Sequence, residues 1–183
     1  MDTEELVKTV EEVRQQCRFG KYAWQGLRAS LNSMDNEKAF FYVHALLDRA
    51  RQVSHFLWST ELSDPASDPA SERRAAIRKV LKVQDDSVLN ASELVVFADA
   101  EAGAFYRWLS SLDHHRYLGM NVMPQGTMSD FRQDTFLRSL DPDLFQFTWY
   151  DRTIDIRKIA QALHDVESVA ESWLKRPSHR KAT

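Results

Sequence analysis

The sequence predicts a mainly α protein, an up-down helical bundle with a small β-hairpin before its C-terminal helix. Three observations lead there. Glycine and proline number only 5 each in 183 residues, too few for a turn-rich sandwich or barrel. Apolar residues recur at helical spacing through most of the chain. One aromatic stretch, Leu144 to Tyr150, alternates instead, as a half-buried strand does. Hydrophobic residues make up 43% and charged residues 28%, which suits a chain folding around a core. The length predicts one domain over residues 1–176, with residues 177–183 a disordered tail.

Taken in order, Asp2 and Thr3 cap a first helix carrying Leu6, Val10, Val13 and Cys17 on one face. Gly20 is expected to interrupt it before a second stretch with Ala23, Trp24, Leu27 and Leu31. Residues 32–36 read as a break and a new cap. From Glu37 to Trp58 runs a helix whose apolar face is broad enough for packing on two sides. Residues 63–71 are rich in Ser, Asp, Pro and Ala and read as an exposed loop. Glu72 to Val83 form a basic helix, with Arg73, Arg74, Arg78, Lys79 and Lys82 opposite Ile77, Val80 and Leu81. The next helix spans Glu93 to about Leu112, with a run of small residues around Gly103. Tyr117 to Met123 predicts a short strand. The hairpin pairs Leu144–Tyr150 with Thr153–Ile156 around a turn at Asp151-Arg152. A last helix carries Ile156, Ile159, Leu163, Val166, Ala170 and Trp173 as its stripe and ends at Lys175-Arg176-Pro177.

Charge and cysteine usage exclude several classes. With 24 basic and 27 acidic residues the net charge is −3, so the chain as a whole is not a basic nucleic-acid binder, although a local basic patch is compatible. The acidic N-terminal segment has no signal-peptide character, and no apolar run reaches membrane-spanning length, so no membrane association is expected. The single cysteine, Cys17, rules out an intramolecular disulfide and suits a cytoplasmic protein. Its place on an apolar stripe marks it as a buried hydrophobe rather than a catalytic thiol. No phosphate-binding glycine loop, zinc spacing or nucleophile elbow occurs, so no cofactor or metal is expected.

Chemistry then rests on histidines and arginines. Arg107 and His114 enclose six residues, about two helical turns; an arginine holding phosphate and a histidine for proton transfer would suit RNA cleavage. The plainer reading is a cap and salt-bridge pair. His114 and His115, beside Asp113 and Arg116, could serve a metal-dependent hydrolase. However, adjacent helical side chains point about 100° apart, and a helix C-terminus favours positive charge in any case. His44 and Asp48 read as an exposed i,i+4 pair, and His55, near Arg49 and Arg51, as a packed histidine. The basic helix offers Arg73, Arg74, Arg78 and Lys82 as a phosphate-binding face, against the plainer reading of a solvated surface.

Phe40–Trp58 (FFYVHALLDRARQVSHFLW), Arg73–Leu81 with Val83–Leu89, Met120-Asn121-Val122, and Leu140-Asp141-Pro142 through Phe147 together resemble a group of uncharacterised bacterial helical proteins. That group is similar to HEPN domains, helical bundles that often act as RNases or toxin components, usually as dimers. The HEPN signature is an arginine, four to six residues, then a histidine, often with a polar residue after the arginine. Arg107 and His114 meet the spacing, but Trp108 stands at the polar position. The resemblance therefore implies a non-catalytic, HEPN-like homodimer that binds a protein partner or RNA in a defence or toxin–antitoxin setting. From the residues themselves, the candidate binding side chains are His115, Arg116, Arg73, Arg74, Arg78 and Lys82. The alternatives are an endoribonuclease using Arg107 and His114, or a metal-dependent hydrolase around His114 and His115. The broad stripe of Phe40 to Leu57 and the small residues near Gly103 are the expected dimer seam.

Overall fold

A computed structural model of the chain describes residues 2–58, 70–90, 94, 105–106, 109–110, 119–124, 126–127, 136–149 and 152–176. These residues are mainly helical, with a small four-stranded sheet before the C-terminal helix. Among them the helices are α1 (Thr3–Asn32), α2 (Asn36–Leu57), α3 (Ser71–Leu81) and α4 (Ile156–Leu174), and a short 3-10 turn spans Val88–Asn90. The strands are β1 (Asn121–Val122), β2 (Arg138–Asp141), β3 (Gln146–Trp149) and β4 (Arg152–Asp155).

Capping follows the sequence. The Asp2 carboxylate accepts from the Glu5 amide at 2.8 Å, and Asp35 and Asp155 do the same for α2 and α4 from Lys38 and Lys158. The expected interruption at Gly20 is absent, and α1 is one continuous helix of 30 residues. The cause is visible at the glycine. A Cβ there would lie 2.6 Å from Leu163 Cδ1 of α4, with Arg49 Cβ and Leu46 Cδ1 of α2 at 3.6 and 3.7 Å. Gly20 is thus a point where side chains of α2 and α4 close on α1, not a break. Gly26 likewise leaves room for the Tyr42 ring.

α2 runs antiparallel to α1, since Gly26 meets Tyr42 and Gln16 meets Arg49. α4 returns along the other side of α1, starting beside Trp24 and passing Gly20 at Leu163. Every residue of the stripe expected for α4 is buried: Ile156, Ile159, Leu163, Val166, Ala170 and Trp173. The broad face of α2 is also spent within the chain, with Phe40, Val43, Leu46, Leu47, Ala50, Val53 and Leu57 joined to one core shared by helices and sheet. A dimer seam cannot use those side chains; of the Phe40–Leu57 stripe, Phe41 stays open to solvent at 65% exposure.

The expected hairpin is β3 paired antiparallel with β4, with different bounds. Leu144 and Phe145 lie in the preceding turn. Arg152, expected in the turn, is the first residue of β4 opposite Trp149, and Ile156 opens α4. The hairpin is half of a larger sheet in the order β1-β2-β3-β4. β2 pairs antiparallel with β3, and β1 is parallel to β2 and only two residues long. The turn from β2 to β3 is built by Asp141, whose Oδ1 accepts from the amides of Asp143 and Leu144 at 2.9 and 2.8 Å. The last turn residue, Phe145, has a left-handed φ of 54°. Its ring is held by Trp24 at 4.9 Å and by the Arg157 guanidinium at 4.8 Å, contacts that offset the steric cost of that conformation. Pairing places Leu140, Phe147 and Ile154 in one row across the strands and Arg138, Trp149 and Arg152 in the next row of the same face. α2 lies over this face, with Phe40 and His44 against Phe147.

Of the helix expected over Glu93–Leu112, only Leu94, Phe105, Tyr106, Leu109 and Ser110 are described. Leu94 is buried, Phe105 packs at the edge of the core, and the Ser110 hydroxyl donates to the Tyr106 carbonyl.

Candidate functional site

The chemistry of the described residues concentrates where α2 meets the sheet. Cross-strand pairing puts Arg138 directly opposite Trp149, and Trp149 opposite Arg152. An indole is therefore flanked by two arginines on one face, each one strand away. The Arg138 guanidinium lies over the Trp149 ring, 5.4 Å from its centroid. Arg138 is half-buried and Arg152 exposed, and among the described residues neither forms an ion pair; the Arg138 Nε has no hydrogen-bond acceptor.

His44 descends onto this row from α2. Its ring meets Trp149 edge-on at 5.3 Å and 82°, and Phe147 at 5.7 Å and 76°. It makes no hydrogen bond with another described residue. Burial among the two rings, followed by the positive charge of Arg138, lowers its pKa to about 4. At neutral pH the imidazole is uncharged. The i,i+4 pair expected between His44 and Asp48 does not form. Asp48 instead accepts from Arg49 and, at 3.1 Å, from Arg51. Burial alone would raise the Asp48 carboxyl, but these two guanidinium hydrogen bonds outweigh it and hold it below its ordinary value. Arg49 also donates to Gln16 of α1 at 2.8 Å, tying the two helices together. His55 is half-buried, as the sequence suggested.

The residues expected from the basic helix are on α3, but two of them serve the fold. Arg73 pairs with Glu5 of α1 at 3.1 Å. Arg78 donates to the Leu57 carbonyl at the end of α2, pairs with Asp85 at 3.3 Å and lies 5.9 Å from the Trp58 ring. Arg74 is half-buried, while Lys82 takes a left-handed φ of 55° and closes the helix as an exposed residue. Arg107, His114, His115 and Arg116 lie outside the described residues. Among the described residues no group of three or more His, Cys, Asp or Glu side chains is placed to hold a metal ion. No helix among them is long and apolar enough to cross a membrane.

A second charged cluster was not expected. Glu167 of α4 is buried, its side chain 7% exposed, with Lys21 Nζ at 3.6 Å and His164 Nδ1 at 3.9 Å, yet its Oε2 has no hydrogen-bond donor. It lies near Cys17, whose thiol is pushed up to about 12, first by burial and then by the Glu167 charge. The sequence had read Cys17 as an inert buried residue, and this environment makes it one.

Sequence reasoning missed Arg138 and Arg152 as site residues. The available signal was the hairpin itself: once residues 150 and 151 are taken as a two-residue connection, Arg152 must lie opposite Trp149. Compared with known proteins, the chain matches no family model, no curated protein and no solved structure, so its site is read from its own geometry.

Proposed function

We propose that this chain is a non-catalytic, HEPN-like helical protein that binds RNA, with the face between α2 and the sheet as its contact surface. The observation that carries the reading is the row Arg138–Trp149–Arg152. Two arginines stand beside one indole without a carboxylate partner among the described residues. A guanidinium that is half-buried and not neutralised attracts an anion, and phosphates are the anions arginine recognises best. The exposed Lys79 of α3 and Lys82 just after it add positive charge that the fold does not use. In this reading the protein is a homodimer acting in a defence or toxin–antitoxin setting, and light scattering at micromolar concentration tests the dimer.

The experiment is fluorescence polarisation with labelled single-stranded RNA. Replacing Arg138 and Arg152 by glutamine should weaken binding and lower the steepness of its salt dependence by about one to two units, since each neutralised phosphate contributes about 0.7 on a single strand. Equal binding by the double variant refutes the assignment. The same samples run on a denaturing gel address catalysis. Intact RNA is expected; cleavage abolished by His114→Ala would replace this reading with an endoribonuclease using Arg107 and His114. A thermal shift on adding zinc, manganese or nickel would instead favour the hydrolase around His114 and His115.

A second reading, a protein partner, is favoured by a different observation. Phe41 of α2 and Tyr22 and Phe19 of α1 are 65%, 53% and 42% exposed. Large aromatic side chains left in water mark contact surfaces. Phe41→Ser should then abolish partner binding while leaving RNA binding unchanged.

A further inference from the structure

We infer that the Arg138–Arg152 row holds a phosphodiester group of the ligand and that His44 takes up a proton as that group binds, so that affinity is coupled to pH. The inference rests on the anion-binding reading above and goes beyond it by giving the histidine a role.

The geometry places the two functions on one ring. Arg138 covers Trp149 at 5.4 Å and His44 meets the same ring at 5.3 Å. Arg138 and His44 thus share one aromatic neighbour, and the Arg138 charge is felt at the imidazole. In the free protein two things oppose a proton on the imidazole: burial against Phe147 and Trp149, and the field of Arg138. A bound phosphodiester cancels the second and supplies an acceptor for the new N–H. Protonation and binding then reinforce each other, and by linkage each strengthens the other equally.

The surrounding charges leave room for this. On α2, Asp48 is occupied by Arg49 and Arg51, and Arg49 turns away to Gln16 of α1. β3 contributes the rings of Phe147 and Trp149, while β2 and β4 contribute Arg138 and Arg152. Asp151, next to Arg152 in sequence, lies outside the described residues. Among the described residues neither Arg138 nor Arg152 forms an ion pair.

The direction is fixed by sign. His44 ionises at about 4 in the free protein, and the anion raises that value, so binding takes up protons and affinity rises as pH falls. An opposite charge in contact raises such a value by about 1 to 3 units. A rise of about two units makes binding roughly tenfold tighter near pH 5 than near pH 8.

The test measures RNA affinity from about pH 8 to about pH 5 at constant ionic strength. A 5′-hydroxyl oligonucleotide is used, because a terminal phosphate would itself titrate near pH 6. Wild type should tighten about tenfold, whereas His44→Gln should lose that pH dependence, whatever its affinity near pH 8. His44→Asn repeats the measurement should the glutamine variant fail to fold by circular dichroism. A flat wild-type profile, or an unchanged slope in His44→Gln, overturns the proton uptake while leaving the arginine site standing. Unchanged affinity in the Arg138→Gln/Arg152→Gln variant overturns the site itself. Full displacement of RNA by millimolar inorganic phosphate assigns the row to free phosphate and overturns the phosphodiester.

Discussion

Gly20→Ala is the sharpest test of the packing. In an exposed helix interior the change would stabilise by about 1 kcal/mol, because alanine restricts the unfolded chain and favours the helix. Here the new Cβ falls 2.6 Å from Leu163 Cδ1, whereas carbon atoms rest about 3.5 to 4.0 Å apart. Leu163 is 1% exposed and has little room to retreat. Overpacking of this kind costs about 1 to 3 kcal/mol, so Gly20→Ala should destabilise by about 1 kcal/mol net. Leu163→Ala alone should cost about 3 kcal/mol as a buried leucine truncation. In that background the obstacle is gone. Gly20→Ala should then stabilise by about 1 kcal/mol, a coupling of about 2 kcal/mol between the two positions. Urea denaturation of the four proteins measures it, with equal m-values as the check on two-state unfolding. Stabilisation by Gly20→Ala in both backgrounds would mean that α4 does not cross α1 at this glycine, and the reasoning would fail.

Three further outcomes are expected. Lys21→Ala should destabilise by about 1 kcal/mol, because it strips the nearest lysine from the buried Glu167 carboxylate; Glu167→Leu should be neutral or stabilising, since Lys21 is 46% exposed and water can solvate it. Chemical denaturation compares them, and equal losses from both would contradict a buried, under-satisfied carboxylate. Cys17 should resist a thiol reagent at about pH 8 until the protein unfolds. Because its folded pKa is about 12, above its unfolded value, this group makes stability fall with rising pH between about 9 and 12, and Cys17→Ala should flatten that part of the profile. His44 works in the opposite pH range. Its folded value of about 4 lies below the ordinary 6.5, so the unfolded state binds more protons and stability drops as pH falls from 6.5 towards 4. A loss of about 2 to 3 kcal/mol is expected over that window, absent in His44→Phe.

The helices were legible wherever a stripe, a cap and a break agreed. α2 shows all three: the break at residues 32–36 precedes it, Asp35 caps it, and Phe40, Val43, Leu47, Ala50 and Leu57 repeat at helical spacing. Gly20 was misread because a glycine that breaks a helix and a glycine that admits a neighbouring side chain look alike in one dimension. β2 escaped notice because Arg138-Ser139-Leu140-Asp141 has no β-branched residue and one large apolar side chain; its partners, not its propensity, make it a strand. The site was the least legible part. Arg138 and Arg152 are distant in sequence and meet Trp149 only through register. The His44–Asp48 spacing pointed to a pair, but two arginines on the same helix claim the carboxylate first.

The same register sets where the proposed anion site lies. Along the sheet face beneath α2, one row is wholly apolar, with Leu140, Phe147 and Ile154 all buried. The next row keeps Trp149 in the middle, 4% exposed, and turns to arginine on both sides. The indole continues the core to the margin of the sheet and gives the Arg138 stem and guanidinium a surface to lie on. Packing therefore accounts for the aromatic ring and for one long side chain beside it. Arg152, on the edge strand, is exposed, and water can solvate its charge. His44 fits through its edge-on contacts with Phe147 and Trp149, and burial and Arg138 keep it uncharged. In the proposed reading a phosphate-bearing ligand would change that balance, because it would neutralise both arginines and favour a proton on the imidazole. The pH dependence of binding, not the packing, therefore distinguishes a ligand site from a packed sheet margin.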